Sequence, residues 1–351
     1  MVNNTMENNA MENTRLFLKK TYGDILPYHF TFTNILTEAY DYLINKYTLS
    51  NDEKIILHYI LNNDYTLFSF KNIKSFELVL SMYNAKDLSR AIELLFCLSV
   101  NLQNQYISKI HILYETSKIE SENINFITET IYLLQHKLKL NIVMDYNYNR
   151  HSFRYIFNYI NSHIKGNVII TNTDIIYDYT LNKITNIDDD TLLCISRKNK
   201  KITNNNVTWD TIKLNLPSKY SQNIDNSFSH DTWIFTSPMK YTIYIDINLG
   251  QMFCDSYLNY KLSNSKYKCY NLANDIKCYH IQESDSYSDI VSNDPKLTQD
   301  LMEQLIYREN GNKDCICALM ISDIQSFYNK TNFNDFYKHS DFIRRFVEPT
   351  A

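Results

Sequence analysis

The sequence predicts an α/β fold: a largely parallel, Rossmann-like sheet with helices on both faces. Three observations lead there. Short apolar runs of strand length alternate with helical stretches from about residue 75 to residue 172. The helical stretches carry apolar residues at i, i+3 and i+7, the spacing of a helix with one buried face. The runs between them are nearly continuous in aliphatic residues, as strands covered on both faces are.

The elements follow in order. Residues 1–14 are Met, Asn, Glu and Thr with almost no apolar periodicity and are expected to form a disordered tail. Residues 15–72 are expected to be a helical N-terminal region, with Ile35, Ala39, Leu43 and Tyr47 as one stripe and Ile55, Leu57, Tyr59, Ile60 and Leu61 as another. Residues 76–82 read as a first strand, followed by a helix with Leu88, Ala91, Ile92, Leu95 and Leu98 inward. Residues 109–115 are a second strand, and Ile124, Ile127, Ile131 and Leu134 mark a second helix. A third strand over 140–144 leads to a helix capped by Ser152, with Phe153, Ile156, Phe157 and Ile160 on its core face. Residues 167–172 are a fourth strand. After residues 192–196 the pattern loosens through an Asn/Ser-rich stretch to about Ser229. A second block then offers strands at 233–236, 241–247 and 277–281, with a helix over 255–262 between them. A C-terminal extension, 291–351, adds a helix over 297–307 and a strand over 315–321. The α/β domain is thus bounded at about 73–290, and no internal repeat is present.

Composition excludes more than it assigns. There are four glycines, Gly23, Gly166, Gly250 and Gly311, and no two lie close enough to form a dinucleotide fingerprint or a phosphate loop. The 35 Lys+Arg against 39 Asp+Glu leave a net charge of −4, which gives no reason to expect nucleic acid or an anionic membrane surface. The densest basic cluster, Arg197-Lys198 with Lys200-Lys201, sits among asparagines and reads as a solvated loop. Seven cysteines without a CxxC pair, and no secretory leader, point to reduced thiols in a cytoplasmic compartment. Cys315 and Cys317 alternate with apolar residues as a strand does. Apolar runs such as 94–98 are too short to span a bilayer. The 43 asparagines and 29 tyrosines, spread along the whole chain, reflect coding bias rather than function.

In open sheets of this kind ligands bind beyond the carboxyl ends of the strands. The residues there are Tyr83-Asn84, Glu115, Asp145 to Arg150 and Asn172-Thr173-Asp174. Asn172 and Asp174, two apart on an extended chain, can face one divalent cation, although Asp174 can equally cap the turn that follows. Asp178 reads as the N-cap of a short helix through Leu181. Asp231 and Trp233, one of two tryptophans, offer the polar and apolar surfaces that match a sugar, or else Trp233 is core. Asp255 follows Gly250 and opens a helix, as a general base or as an N-cap. His280 on its strand is structural or a late metal ligand.

The order of these residues resembles glycosyltransferases with a glycosyltransferase-A-type (GT-A) fold found in large DNA viruses and some bacteria and plants. The resemblance runs through Leu80-Ser81-Met82-Tyr83-Asn84, Arg90, Leu94, Asn101 and residues 107–111. It continues with Arg150 before Ser152-Phe153, Asn172-Thr173-Asp174 with Tyr177-Asp178, and Ser196-Arg197. It closes with Asp231-Thr232-Trp233-Ile234-Phe235, Gly250 with Cys254-Asp255, Asn271, and His280 with Ser284. It covers about residues 75–287, and Ser256, Leu272 and Gln282 depart from the family pattern of Asn, Pro and a second His.

The resemblance implies transfer of a sugar from a UDP- or GDP-sugar donor to a hydroxyl of a glycan or protein acceptor, with Mn²⁺ or Mg²⁺ as cofactor. It implies Tyr83 stacked on the base, Asn84 and Glu115 at base or ribose, and Arg150 on the diphosphate. Asn172, Asp174 and His280 would hold the metal, Asp231 and Trp233 would shape the sugar or acceptor site, and Asp255 would be the base if the enzyme inverts configuration. A viral member would work in the host cytoplasm. The Asn at position 172 and Gln282 also suit an inactive carbohydrate-binding or structural module of the same fold.

Overall fold

The structure is a computed structural model that describes residues 40–62, 75–83, 85, 87–115, 122–138, 142–147, 149–200, 229–281, 295–312, 317–319, 321–330 and 336–337. The expected tail 1–14, Ile35, Ala39, Asn84, Gln282, Ser284 and Cys315 lie outside the described residues.

Two helices, α1 (40–46) and α2 (Asn51–Asn62), come first. The alternating unit follows as β1 (Phe76–Met82), α3 (Leu88–Leu102), β2 (Ile107–Glu115), α4 (Glu122–Leu138), β3 (Ile142–Asn147), α5 (Phe153–His163) and β4 (Gly166–Asn172). Next are β5 (Ile175–Tyr177), a 3₁₀ turn over Tyr179–Lys183, β6 (Thr191–Ser196), β7 (Lys198–Lys200), β8 (His230–Ser237), α6 (Cys254–Ser263), β9 (Lys268–Tyr270) and β10 (Cys278–Ile281). The chain closes with α7 (Pro295–Arg308), β11 (Ala318–Leu319), α8 (Ile324–Asn329) and β12 (Phe336–Tyr337).

The main sheet has seven strands in the order β3-β2-β1-β4-β8-β6-β9. All neighbours are parallel except β8, which runs antiparallel to both β4 and β6. This mostly parallel mixed sheet flanked by helices is a Rossmann-like α/β fold with a helical N-terminal extension. Period-two alternation sorts the strand residues between two cores. Leu78, Leu80, Ile110, Ile112, Ile169, Leu193 and Ile234 face a core shared with α2, α3 and α4. Val79, Leu113, Val168, Ile170, Leu192, Trp233 and Phe235 face the other, shared with α5 and α6. Leu57, Ile60 and Leu61 of α2 belong to the first core, and Lys46 is 3.0 Å from Glu129 of α4, so the N-terminal helices pack on the domain.

Caps expected from the sequence form as hydrogen bonds. Ser152 accepts from Tyr155 N–H at the start of α5, and Asp178 accepts from Thr180 N–H to open the 3₁₀ turn. Three expectations need correction. Residues 241–247 are extended, with Ile243, Ile245 and Ile247 buried and Thr242, Tyr244 and Asp246 exposed, but they join no ladder. Alternation lays this stretch along the core, but no strand edge runs beside it among the described residues. Of the strand expected at 315–321, Ala318–Leu319 pairs with Phe336–Tyr337, whereas Cys317, also described, lies outside that ladder. The basic cluster at 197–200 is not a solvated loop: Lys198–Lys200 is a strand paired with β10, and Arg197 turns inward.

Candidate active site

Strand order places the site. Strands β1, β2 and β3 follow one another to one side, whereas β4 lies on the other side of β1. The crevice beyond the carboxyl ends of β1 and β4 is therefore the switch point where an open α/β sheet receives its ligand. Ser81 is level with Asn172 in that pairing, and Thr173 Oγ1 donates to Ser81 O at 2.8 Å, fixing one strand end against the other. β6 runs parallel to β4, so its carboxyl end opens on the same side, as does the amino end of antiparallel β8.

Asn172 ends β4, and Asp174 sits in the turn into β5, so the two side chains take different partners. Asn172 Nδ2 donates to Asp231 Oδ1 at 2.5 Å. Asp174 Oδ2 accepts from Arg90 Nη2 and faces His280 Nε2 at 3.1 Å, whereas Asp174 Oδ1 is buried without a hydrogen-bond partner. His280 reaches this place because β10 pairs with β5, with Ile281 N–H donating to Asp174 O at 2.9 Å. Burial pushes the Asp174 carboxyl up, but His280, Arg90 and Arg197 outweigh it and hold the group well below the usual carboxylate range.

A sharp turn supplies the opposite wall. Gly250 has φ +73°, and a Cβ added there would lie 2.7 Å from Arg150 Nη2 and 3.8 Å from Asn172 Oδ1. The positive φ favours glycine at this position, and a side chain there would have to displace the Arg150 guanidinium. Glycine lets the Arg150 guanidinium and the Asn172 carbonyl oxygen approach the same backbone. Arg150 Nε donates to Leu249 O at 3.0 Å, and Leu249 N–H donates to His151 O, so the loop after β3 is strapped to this turn.

Asp255 lies in the first turn of α6, but the N-cap position belongs to Phe253, in the left-handed conformation without a side-chain cap. Freed from capping, the half-buried Asp255 carboxylate accepts from His230 N–H at 3.0 Å. Burial and the nearby Asp231 charge push its pKa up to about 7, against the opposing pull of the Ser256 and His230 amides and Arg197. His230 is fixed in turn by Asn259 at 3.1 Å and Asn271 at 3.4 Å, one on each ring nitrogen.

One expected role is corrected by geometry. Trp233 is fully buried, edge-on to Phe153 at 5.0 Å, so it is core and has no face to offer a sugar. Trp233→Ala is expected to destabilise the fold by about 3–5 kcal/mol in urea unfolding. Asp231 is at the crevice, engaged on both oxygens, by Asn172 and by Arg197 Nη1 at 2.6 Å. Tyr83 is half-buried after β1, its hydroxyl bonded to Arg90, and Glu115 is buried at the end of β2.

Arg90 and Arg197 are the functional candidates that reading from composition missed. Arg197 directly follows an apolar strand, the same signal that singled out Asp174, but its basic, Asn-rich surroundings masked it. Arg90 gives little sequence signal beyond its place in the resemblance, because the partners that tie it to the crevice, Tyr83 and Asp174, are 7 and 84 residues away.

No protein-family model matches the chain, and no curated protein matches it by sequence. Solved structures do. GalNAc-T7 with UDP, GalNAc and Mn²⁺ matches at TM-score 0.41 and 10% identity, over 68% of this chain and 50% of that chain. The inositol-1-phosphate CTP transferase from T. maritima matches at TM-score 0.33 and 11% identity, over 66% of this chain and 97% of that one. This chain spans about half the length of the GalNAc-T7 chain. Likenesses this slight assign no activity, and the site is defined by the chain's own residues.

Donor chemistry allows a metal test. The unpartnered Asp174 Oδ1, the His280 imidazole, whose Nε2 is engaged with Asp174 Oδ2, and the Asn172 carbonyl oxygen are donors of the hard-to-borderline kind that Mn²⁺ or Mg²⁺ takes. Among the described residues no three His, Cys, Asp or Glu side chains form a metal cluster, so such an ion would rely on this mixed set and on phosphate oxygens. A cavity of about 370 Å³ lies elsewhere, at the amino end of the sheet beside Glu77, Ser108, Gly166 and Thr236, and no residue of the crevice lines it. Among the described residues, no helix is long and apolar enough to cross a membrane.

Proposed function

We propose that this protein is a glycosyltransferase that moves a sugar from a UDP- or GDP-sugar to an acceptor hydroxyl on a glycan or protein. The observation that carries the proposal is the pairing, within one crevice at the switch point, of a carboxylate held ionised, Asp174, with a carboxylate whose pKa is near neutrality, Asp255. Two carboxylates tuned apart in this way suit one charge-binding role and one proton-accepting role.

The nucleotide lies over the ends of β1 and β2, with Tyr83 stacked on the base, and Asn84 and Glu115 at base or ribose. Arg150 neutralises the diphosphate from the Gly250 side. Asn172, Asp174 and His280 would hold a divalent cation, which when bound would supply Lewis-acid support to the diphosphate leaving group. Asp231 keeps Asn172 and Arg197 in place through its two oxygens. Asp255 takes the proton from the acceptor hydroxyl as it attacks the anomeric carbon, which corresponds to a single displacement with inversion. A base with a pKa near 7 is about half ionised at neutral pH, where proton transfer from a hydroxyl is efficient.

A panel of UDP- and GDP-sugars, assayed for hydrolysis with and without Mn²⁺, tests the proposal. Metal-stimulated release of nucleotide from at least one donor is expected. One observation favours the inactive-module reading: Asp174 Oδ2 is already engaged by two side chains of the protein, Arg90 and His280. Binding of a glycan with no nucleotide-sugar bound or hydrolysed would decide for the module.

A further inference from the structure

Arg90 sits in the first turn of α3, buried to 5% exposure, and its guanidinium spends three donors in three directions. Nε donates to Tyr83 Oη at 3.2 Å, Nη1 to Glu93 Oε2 at 2.8 Å, and Nη2 to Asp174 Oδ2. Glu93 is on the same helix, three residues on, and anchors the fork. The other two partners come from the carboxyl ends of β1 and β4, the strands between which the sheet order reverses. A guanidinium is planar and rigid, so a shift at one of its bonds is transmitted to the others. An ammonium at the same place is a point charge and cannot hold three fixed directions.

We propose that Arg90 is a positioning residue that couples the base-stacking position at Tyr83 to the orientation of the Asp174 carboxylate, making nucleotide and divalent cation bind cooperatively. The inference rests on the glycosyltransferase reading. With Oδ2 tied to Arg90 and His280, Asp174 presents Oδ1 in a set direction. A nucleotide that orders Tyr83 also orders Arg90, and through it that oxygen. Coupling of this kind is reciprocal: the cation tightens the nucleotide by the factor with which the nucleotide tightens the cation.

Calorimetric titration with UDP and with GDP, with and without Mn²⁺, measures that factor, and electron paramagnetic resonance of free Mn²⁺ measures it from the other side. In the wild type Mn²⁺ is expected to tighten one nucleotide on the order of tenfold, within the usual range of site–site coupling. Arg90→Lys should bring the factor close to one. Tyr83→Phe keeps the aromatic ring and deletes only the hydroxyl, so it should lose most of the factor while its unfolding midpoint stays near wild type. This second variant carries the test if Arg90→Lys does not fold. Wild-type coupling in both variants, or in Tyr83→Phe alone where Arg90→Lys does not fold, would reduce Arg90 to a structural ion pair and overturn the proposal. A wild type that binds a nucleotide with no response to Mn²⁺ overturns the coupling but not the transferase reading. A wild type that binds neither nucleotide overturns both.

Discussion

Asp174→Ala is expected to abolish metal-stimulated donor hydrolysis, a loss beyond the roughly 10–100-fold that follows when groups supporting a metal ligand are removed. The physical reason is twofold. The substitution deletes the buried Oδ1 that has no protein partner, and it strips Arg90 and His280 of the carboxylate they share. Leaving the Arg90 guanidinium buried without that counter-charge costs about 3–5 kcal/mol of stability. Asp174→Asn separates the two effects, because an amide oxygen still accepts from Arg90. It should regain part of the stability without regaining the metal response. Equal hydrolysis in wild type and Asp174→Ala would remove Asp174 from the metal site. The charge also has a pH signature: a carboxyl held below its usual value of 3.8 stabilises the fold above that pH and loses the contribution as pH falls further. Asp174→Asn should therefore flatten the acid limb of unfolding.

Asp255→Asn is expected to lower kcat by about 10²–10⁴-fold while leaving nucleotide affinity near wild type, because the amide cannot accept the acceptor's proton. In the wild type, kcat/KM should rise with pH through about 7 and then level off, and the variant's residual rate should lack that rise. Stability runs in the opposite sense. The folded carboxyl keeps its proton up to about pH 7, whereas the unfolded one releases it near 3.8, so the native state binds more protons across that window. Stability from this group is present below about pH 4 and declines as pH rises to about 7. Urea midpoints at pH 5 and pH 8 should differ less in Asp255→Asn than in the wild type. A variant with an unchanged rate profile would show that another group takes the proton.

Most of the main sheet was legible because its signals are local. Ile124, Ile127, Ile131 and Leu134 mark α4 by spacing alone, and α5 begins where Ser152 caps it. β5, β7 and β9 escaped because three residues carry too little periodicity to register. The extended stretch at 241–247 failed in the other direction: its alternation is real, but a strand also needs a neighbouring edge, which no local pattern encodes. Trp233 shows the same limit, since an aromatic residue beside an acid suits a sugar site or a core equally until the face of β8 is known.

The sequence by itself determined the alternating α/β architecture, the caps at Ser152 and Asp178, and the strand ends at which Tyr83, Glu115, Asn172 and Asp174 would sit. Each of these depends on residues within a few positions of one another. Tertiary structure alone decided that Asn172 and Asp174 take separate partners, and that Asp255 is freed from capping. It alone brought Arg90, Arg197 and His280 to the crevice. Those partners lie 25 to 106 residues apart in sequence. Whether an ion pair or a desolvated carboxylate results depends on how strands order in the sheet, and hydrophobic burial over the whole domain sets that order. The four glycines divide in the same way: their scarcity is visible in the composition, but only the packed site shows that the space at Gly250 belongs to Arg150.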